Sequence, residues 1–127
     1  MYHPSLTIAL LASMAIPARR ILVQDGDASA TLAVDDAVVP IGLSQRDGDA
    51  EAGFPVDIDA LGFGEVEFGG DVAVNDPLTA AADGRAIKAV PAAGESVAIV
   101  GYAASAGDAG TFGAVRIAPG QFTVAAA

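Results

Sequence analysis

Four acidic residues have the spacing that carboxylate chemistry requires. Asp57 alternates with Asp59 and Glu65 with Glu67, and on a β-strand such alternation turns both members of a pair to one face. Two carboxylates on one face could serve a glycosidase or an aspartic hydrolase, provided that burial drives their proton affinities apart. Nothing in the flanking sequence supplies that burial, and acids at every second position equally describe the wet face of an ordinary strand. Asp57, Asp59, Glu65 and Glu67 are therefore read as a solvated face, with a carboxylate-dependent hydrolase as the enzymatic alternative. Asp25-Gly26-Asp27 and Asp47-Gly48-Asp49 open like calcium loops. Neither continues with the ligand spacing of an EF-hand or with a Gly-rich calcium-binding nonapeptide, so both are read as turns. Gly62-x-Gly64 lacks the third glycine and the helix of a dinucleotide fingerprint.

The rest of the inventory removes more chemistry than it offers. The chain has no cysteine and one histidine, His3, which excludes thiol nucleophiles, disulfides, thiolate metal sites, histidine triads and multi-histidine metal centres. His3 is read as an exposed terminal residue. No catalytic residue, metal ligand or cofactor is assigned, and the chain is expected not to be an enzyme. With 16 acids against 6 bases the net charge is −10, which speaks against any direct grip on nucleic acid, where phosphate neutralisation dominates affinity. The bases Arg19, Arg20, Arg46, Arg85, Lys88 and Arg116 are few and scattered, and are candidates for ion pairs between subunits.

These residues need elements to carry them. In 127 residues, 53% hydrophobic, 29 are alanine, so the core must be built largely from thin aliphatic side chains. The length suits one domain or two small halves sharing a core. Fifteen glycines and seven prolines break the chain into short alternating segments with almost no long amphipathic helix. Strands are expected at 20–24, 30–34, 37–43, 54–59, 65–68, 71–74, 85–90, 96–102, 112–117 and 121–124. Asp25-Gly26-Asp27, Asp35-Asp36, Asp47-Gly48-Asp49, Gly69-Gly70, Asn75-Asp76-Pro77, Asp83-Gly84 and Pro119-Gly120 are the expected turns. Phe54, Val56 and Ile58 are expected to share a core-facing side. The fold class is all-β, a small sandwich or barrel-like (β-tulip-like) domain.

Laid over itself at an offset of 59 residues, without a gap, the chain matches Ile41-Gly42-Leu43 with Val100-Gly101-Tyr102, Gly48-Asp49-Ala50 with Gly107-Asp108-Ala109, and Val56-x-Ile58 with Val115-x-Ile117. Two related β-halves, approximately 20–69 and 70–127, are therefore expected to complete one core. Ahead of them, residues 1–19 read as an extended N-terminal arm. Its apolar run from Ser5 to Ile16 is too short for a membrane span and has no preceding basic residue as a signal peptide would. Pro4, Leu6, Ile8, Leu10, Leu11 and Ile16 are its candidate contact residues, toward a partner or a neighbouring subunit.

The arm Pro4-x-Leu6-Thr7-x-x-Leu10, the central Gly64-x-Val66-x-x-Gly69, the segment Asn75-Asp76-Pro77-Leu78-Thr79-Ala80-Ala81-Ala82-Asp83-Gly84-Arg85-Ala86-Ile87-Lys88-Ala89, and the closing Val100-Gly101-Tyr102-Ala103-x-x-Ala106-Gly107-Asp108 through Val115-x-Ile117-x-Pro119-Gly120 resemble the capsid cement, or head decoration, proteins of tailed bacteriophages. The likeness covers nearly the whole chain. It implies a structural virion protein on the exterior of the expanded capsid, present in the host cytoplasm during assembly, that stabilises the shell against internal DNA pressure. The implied partners are the major capsid protein and further copies of the chain, as a homotrimer on the shell or a dimer, with neither nucleic acid nor membrane involved. It implies no active-site residue. A secreted or periplasmic β-sandwich binding module is the alternative.

Overall fold

The computed structural model describes residues 4–45 and 49–125. Their regular structure is entirely strand: β1 (Pro4–Ala12), β2 (Ile21–Gly26), β3 (Ser29–Leu32), β4 (Gly42–Ser44), β5 (Pro55–Glu67), β6 (Pro77–Ala80), β7 (Ala86–Lys88), β8 (Ser96–Ala103) and β9 (Phe112–Thr123). They hydrogen-bond in the order β1-β3-β2-β4-β5-β9-β8-β6-β7, and β1 also pairs with β5, which closes the first five strands into a barrel. The expected all-β, barrel-like class is the observed one.

The remaining strands repeat this plan. The second half of β5 pairs with β9, β9 with β8, β8 with β6 and β6 with β7. A parallel bridge from Phe68 to Ala86 brings the ends of this second ring together, as the parallel pairs Leu11–Ser29 and Ala12–Ala30 do in the first. The two rings share one pairing register at most positions. Leu22 opposite Gly42 is matched by Leu78 opposite Gly101, and Gln24 opposite Ala30 by Ala80 opposite Ala86. The bridge Ile16–Ala50 is matched by Val72–Gly107. Arg19 and Asn75, at equivalent positions, both take positive φ, 59° and 72°.

The two rings share a pairing plan, but a single offset does not relate them. The equivalences above space the first three strands of each ring by 56 residues, the fourth by 59 and the fifth by 57. The ungapped comparison therefore aligned Gly42 with Gly101 correctly and placed Val56-x-Ile58 two residues out of register. Loops of different length absorb the difference. β1 closes the first ring by pairing with β3 and β5, so the hydrogen-bonded ring begins at residue 4.

Several element boundaries also differ. Segments 54–59 and 65–68 fuse into one thirteen-residue β5, because Gly62, at φ 89°, absorbs the irregularity instead of turning the chain. Segments 112–117 and 121–124 fuse into β9 through Pro119-Gly120. Pro119 is tolerated there because β8 lies on one side of this stretch and no described strand on the other. Pro77, read as a turn, begins β6, and of 71–74 only Val72 bridges. Segment 37–43 contributes only Gly42–Ser44 to a strand. Phe54 stands beyond the barrel's end at 60% exposure, while Val56 and Ile58 are buried as expected.

Packing explains why the two halves need each other. Ala12, Ile16, Leu22, Ala30, Val56 and Ile58 fill the first ring. Val66, Phe68, Val72, Leu78, Ala86, Val100 and Val115 fill the second, and Ile21, Ala33 and Leu43 of the first ring join that cluster. Ile21 and Leu43 are one residue out of phase with Leu22 and Gly42, so they leave the first barrel's outer wall and pack into the second half. Leu43 approaches so closely that a Cβ on Gly64 would stand 3.0 Å from its Cδ1. Each Ile or Leu buried this way contributes about 1.5–3 kcal/mol.

Size compensation distinguishes the two interiors. Phe68 is fully buried in the second ring where Ala12 stands in the first. Gly113 and Gly107, the counterparts of Val56 and Ala50, leave the room it needs, since a Cβ on either would run into the Phe68 ring. Phe68→Ala should cost about 3–5 kcal/mol. Adding Gly113→Val, which recreates the first ring's combination, should recover at least about 1 kcal/mol although it is destabilising in the Phe68 background. Urea unfolding of the four proteins of this cycle measures the coupling. Gly42 and Gly101, at φ 157° and 156°, lie where a Cβ would meet the carbonyl oxygens of Asp59 and Arg116 respectively. Gly101→Ala should cost more than about 2 kcal/mol, whereas Gly120→Ala, with open space around the glycine, should be near neutral in the same assay.

Candidate functional site

The paired carboxylates occupy structural positions. Glu67 holds Arg20 at 3.1 Å and Arg85 at 2.7 Å, and Arg85 also reaches Asp83 at 3.3 Å. Glu65 faces Arg19 at 3.8 Å, and the Arg19 guanidinium lies 4.2 Å from the centre of the Phe112 ring. Backbone bonds run through the same place, from Glu67 N–H to Arg19 O (3.0 Å) and from Ile21 N–H to Gly84 O (2.8 Å). This cluster is the seam between the rings, and it joins residues far apart in sequence. Asp59, 7% exposed, accepts from the Thr7 hydroxyl at 3.3 Å and from Gln45 Nε2 at 3.0 Å. Asp57 is exposed. The solvated face read from the alternation holds for Asp57 alone: Asp59 is buried against Thr7 and Gln45, and Glu65 and Glu67 are turned to arginines, because tertiary packing covers that side of β5.

The acidic turns are likewise held by their own backbone and neighbours. The Ser13 and Ser29 hydroxyls hold the Asp25 carboxyl below the ordinary carboxylate range, the latter donating at 2.8 Å. Asp49 accepts from Ala18 N–H at 2.6 Å. Asp47, Gly48, Arg46 and His3 lie outside the described residues. Among the described residues no group of three or more His, Cys, Asp or Glu side chains is placed to hold a metal ion. A shallow depression lined by Asp71, Asp76, Lys88 and Asp108 contains an ion pair of its own, Lys88 to Asp76 at 3.9 Å.

The N-terminal contact residues are divided between core and surface. The run that reads as an arm is strand β1, antiparallel to β5 from Pro4 opposite Gly62 to Leu11 opposite Pro55. Ile8 and Leu10 pack against the first ring's interior. Ile16 is 1% exposed and exchanges backbone bonds with Ala50 at 2.8 and 2.9 Å. Leu11, out of phase with Ile8 and Leu10, points outward at 47% exposure, and Leu6, beyond the register shift between Leu6 and Thr7, is 45% exposed. Pro4 contributes its backbone to the pairing; its side chain lies outside the described set. Leu11 shares the outer surface with Met14 and Phe54, 43% and 60% exposed, and Leu6 pairs with Leu61, 48% exposed. Met14, Phe54 and Leu61 were missed in the sequence. Only their exposure singles them out, and exposure follows from where the barrel ends.

The comparisons bear on this architecture. No family model matches the chain, and no curated protein matches it. A solved structure described as the head fiber gp8.5 N base of bacteriophage phi29 superposes with a TM-score of 0.65 at 22% identity, covering 89% of this chain and 93% of that one. At that identity the likeness is one of fold, and it extends over both rings. The inward and outward halves of β1 should separate in stability measurements. Ile8→Asp should cost about 2 kcal/mol or more by placing a carboxylate against the core, whereas Leu11→Asp should cost about 1 kcal/mol or less, as read by urea unfolding.

Proposed function

We propose that the chain is a structural protein of the phage head, bound to the outside of the expanded capsid and reinforcing it against the pressure of packaged DNA. The observation that carries this reading is the fold it shares, end to end, with a phage head fiber base. The resemblance of its segments to capsid cement proteins points the same way. An apolar outer surface at Leu6, Leu11, Met14, Phe54 and Leu61 supplies the contact, in a chain otherwise charged enough to remain dispersed. The major capsid protein is the partner, and copies assemble on the shell as trimers, or as dimers at twofold positions. Many copies with small footprints give a high total avidity.

Removing the whole N-terminal run is a poor test, because β1 is a wall of the barrel and Ile16 part of its core. Co-sedimentation with expanded, undecorated capsids should show saturable binding near one copy per coat subunit. A Leu11→Asp/Phe54→Asp variant should stay folded and bind at least about tenfold more weakly. No binding by the unmodified protein at saturating concentration would reject the reading.

A further inference from the structure

Strand β1 has two edges, and one is open. Toward β5 it is paired along its length; toward β3 it is paired only at Leu11 and Ala12. Leu11 N–H donates to Ala28 O at 2.8 Å and Ser13 N–H to Ala30 O at 2.9 Å, both on the β3 side, while Ala12 N–H donates to Phe54 O on the β5 side. Backbone groups alternate between the two edges. Thr7 and Ala9 therefore direct N–H and C=O to the β3 side, beyond the tip of the β2–β3 hairpin, where no described strand lies.

Exposed edges are normally protected by charge, proline, bulges or cover. The duplicated ring shows the protected version of this same edge. The counterparts of Ala9 and Leu11 are Glu65 and Glu67, which bind arginines, and the edge is covered by Glu67 N–H donating to Arg19 O. The open stretch of β9 carries Pro119, which has no N–H to offer. The β1 sequence from Ser5 to Ala12 has no charge and no proline, in a chain of net charge −10.

Charge complementarity selects the occupant. Asp25, Asp27, Asp35, Asp36, Asp49, Glu51 and Asp57 of the first ring are all exposed, and both of its described arginines, Arg19 and Arg20, turn to the seam. Asp25 and Asp27 sit on the hairpin whose Ala28 carbonyl takes the Leu11 N–H, and Asp57 lies opposite Ala9. A second copy would bring the same acids against these. We infer that the β1 edge at Thr7 and Ala9 accepts one extended strand from another protein, with small or aliphatic residues facing Leu6 and Leu11 and Lys or Arg at its flanks. This rests on the head-surface reading in one respect: it makes that strand a segment of the capsid surface.

The test uses the synthetic peptide Lys-Lys-Val-Thr-Val-Thr-Val-Lys-Lys and its counterpart with Glu in place of every Lys. The Lys peptide should slow amide hydrogen exchange at Thr7 and Ala9 of the unmodified protein, and the Glu peptide should bind at least about tenfold more weakly at low salt. Asp25→Asn/Asp27→Asn should weaken the Lys peptide several-fold. Ala9→Pro removes an N–H that β5 does not use, so it should abolish binding in a protein that remains folded. Equal binding of both peptides, exchange unaltered at Thr7 and Ala9, or undiminished binding to a folded Ala9→Pro variant would each overturn the inference. So would a concentration-dependent dimer of the protein alone that Ala9→Pro abolishes, since it would assign the edge to a second copy. Full decoration of capsids by the Ala9→Pro variant rejects strand addition and leaves the head-surface function standing. Peptide binding at the edge without any capsid binding does the reverse.

Discussion

One strand belongs to two barrels, and the rest of the molecule follows from that. The first half of β5 closes the first ring against β1 and β4, and its second half opens the next against β9. Neither ring can move relative to the other without breaking a ladder, because the strand runs unbroken through thirteen residues. The shared strand also fixes which wall of the first barrel faces the second half, and so it sends Ile21 and Leu43 into the second ring's core. A chain rich in alanine lacks the bulk to fill two independent barrels. Sharing a strand lets one ring's outside serve as part of the other's inside.

The two rings have a common pairing plan and different interiors. Ala12 with Val56 in one, and Phe68 with Gly113 in the other, solve the same volume constraint. The closest backbone approaches permit no such divergence. Gly42 and Gly101 lie against the carbonyls of Asp59 and Arg116, where any Cβ would collide. Side chains thus vary where volumes can trade, and glycine persists where backbone meets backbone.

Charge follows the same division. Arg19, Arg20, Arg85 and Lys88 are engaged by Glu65, Glu67, Asp83 and Asp76, and Arg116 lies 5.0 Å from the Tyr102 ring centre. Arg19, Arg20 and Arg85 thus sit where the rings meet, and the first ring's outer surface is left acidic. Partly buried pairs of this kind return little net stability over apolar packing, but they penalise any other docking of one ring on the other, since a displaced Glu67 would leave the Arg20 guanidinium without its carboxylate.

Much of this was legible in the residues. Composition and turn spacing dictate an all-β chain because short alternating segments between Gly and Asp turns can bury one face only by forming sheets. Gly42 and Gly101 carry the duplication visibly, since a backbone collision forbids every other residue there. The absence of Cys and of a second His removes whole classes of catalysis without reference to any fold. Tertiary structure alone decided the rest. Pro119-Gly120 and Gly62 look like turns but lie inside strands, because whether a missing N–H or a positive φ breaks a strand depends on what lies beside it. Leu6 and Leu11 are indistinguishable in sequence from Ile8, Leu10 and Ile16. Leu11 faces outward because the pairing of β1 with β5 puts it out of phase with Ile8 and Leu10, whereas Leu6, in phase with them, is exposed beyond the register shift between Leu6 and Thr7. Glu65 and Glu67 read as solvent-facing, and became the seam only because the packing of the two rings brought Arg19, Arg20 and Arg85 to them across the fold.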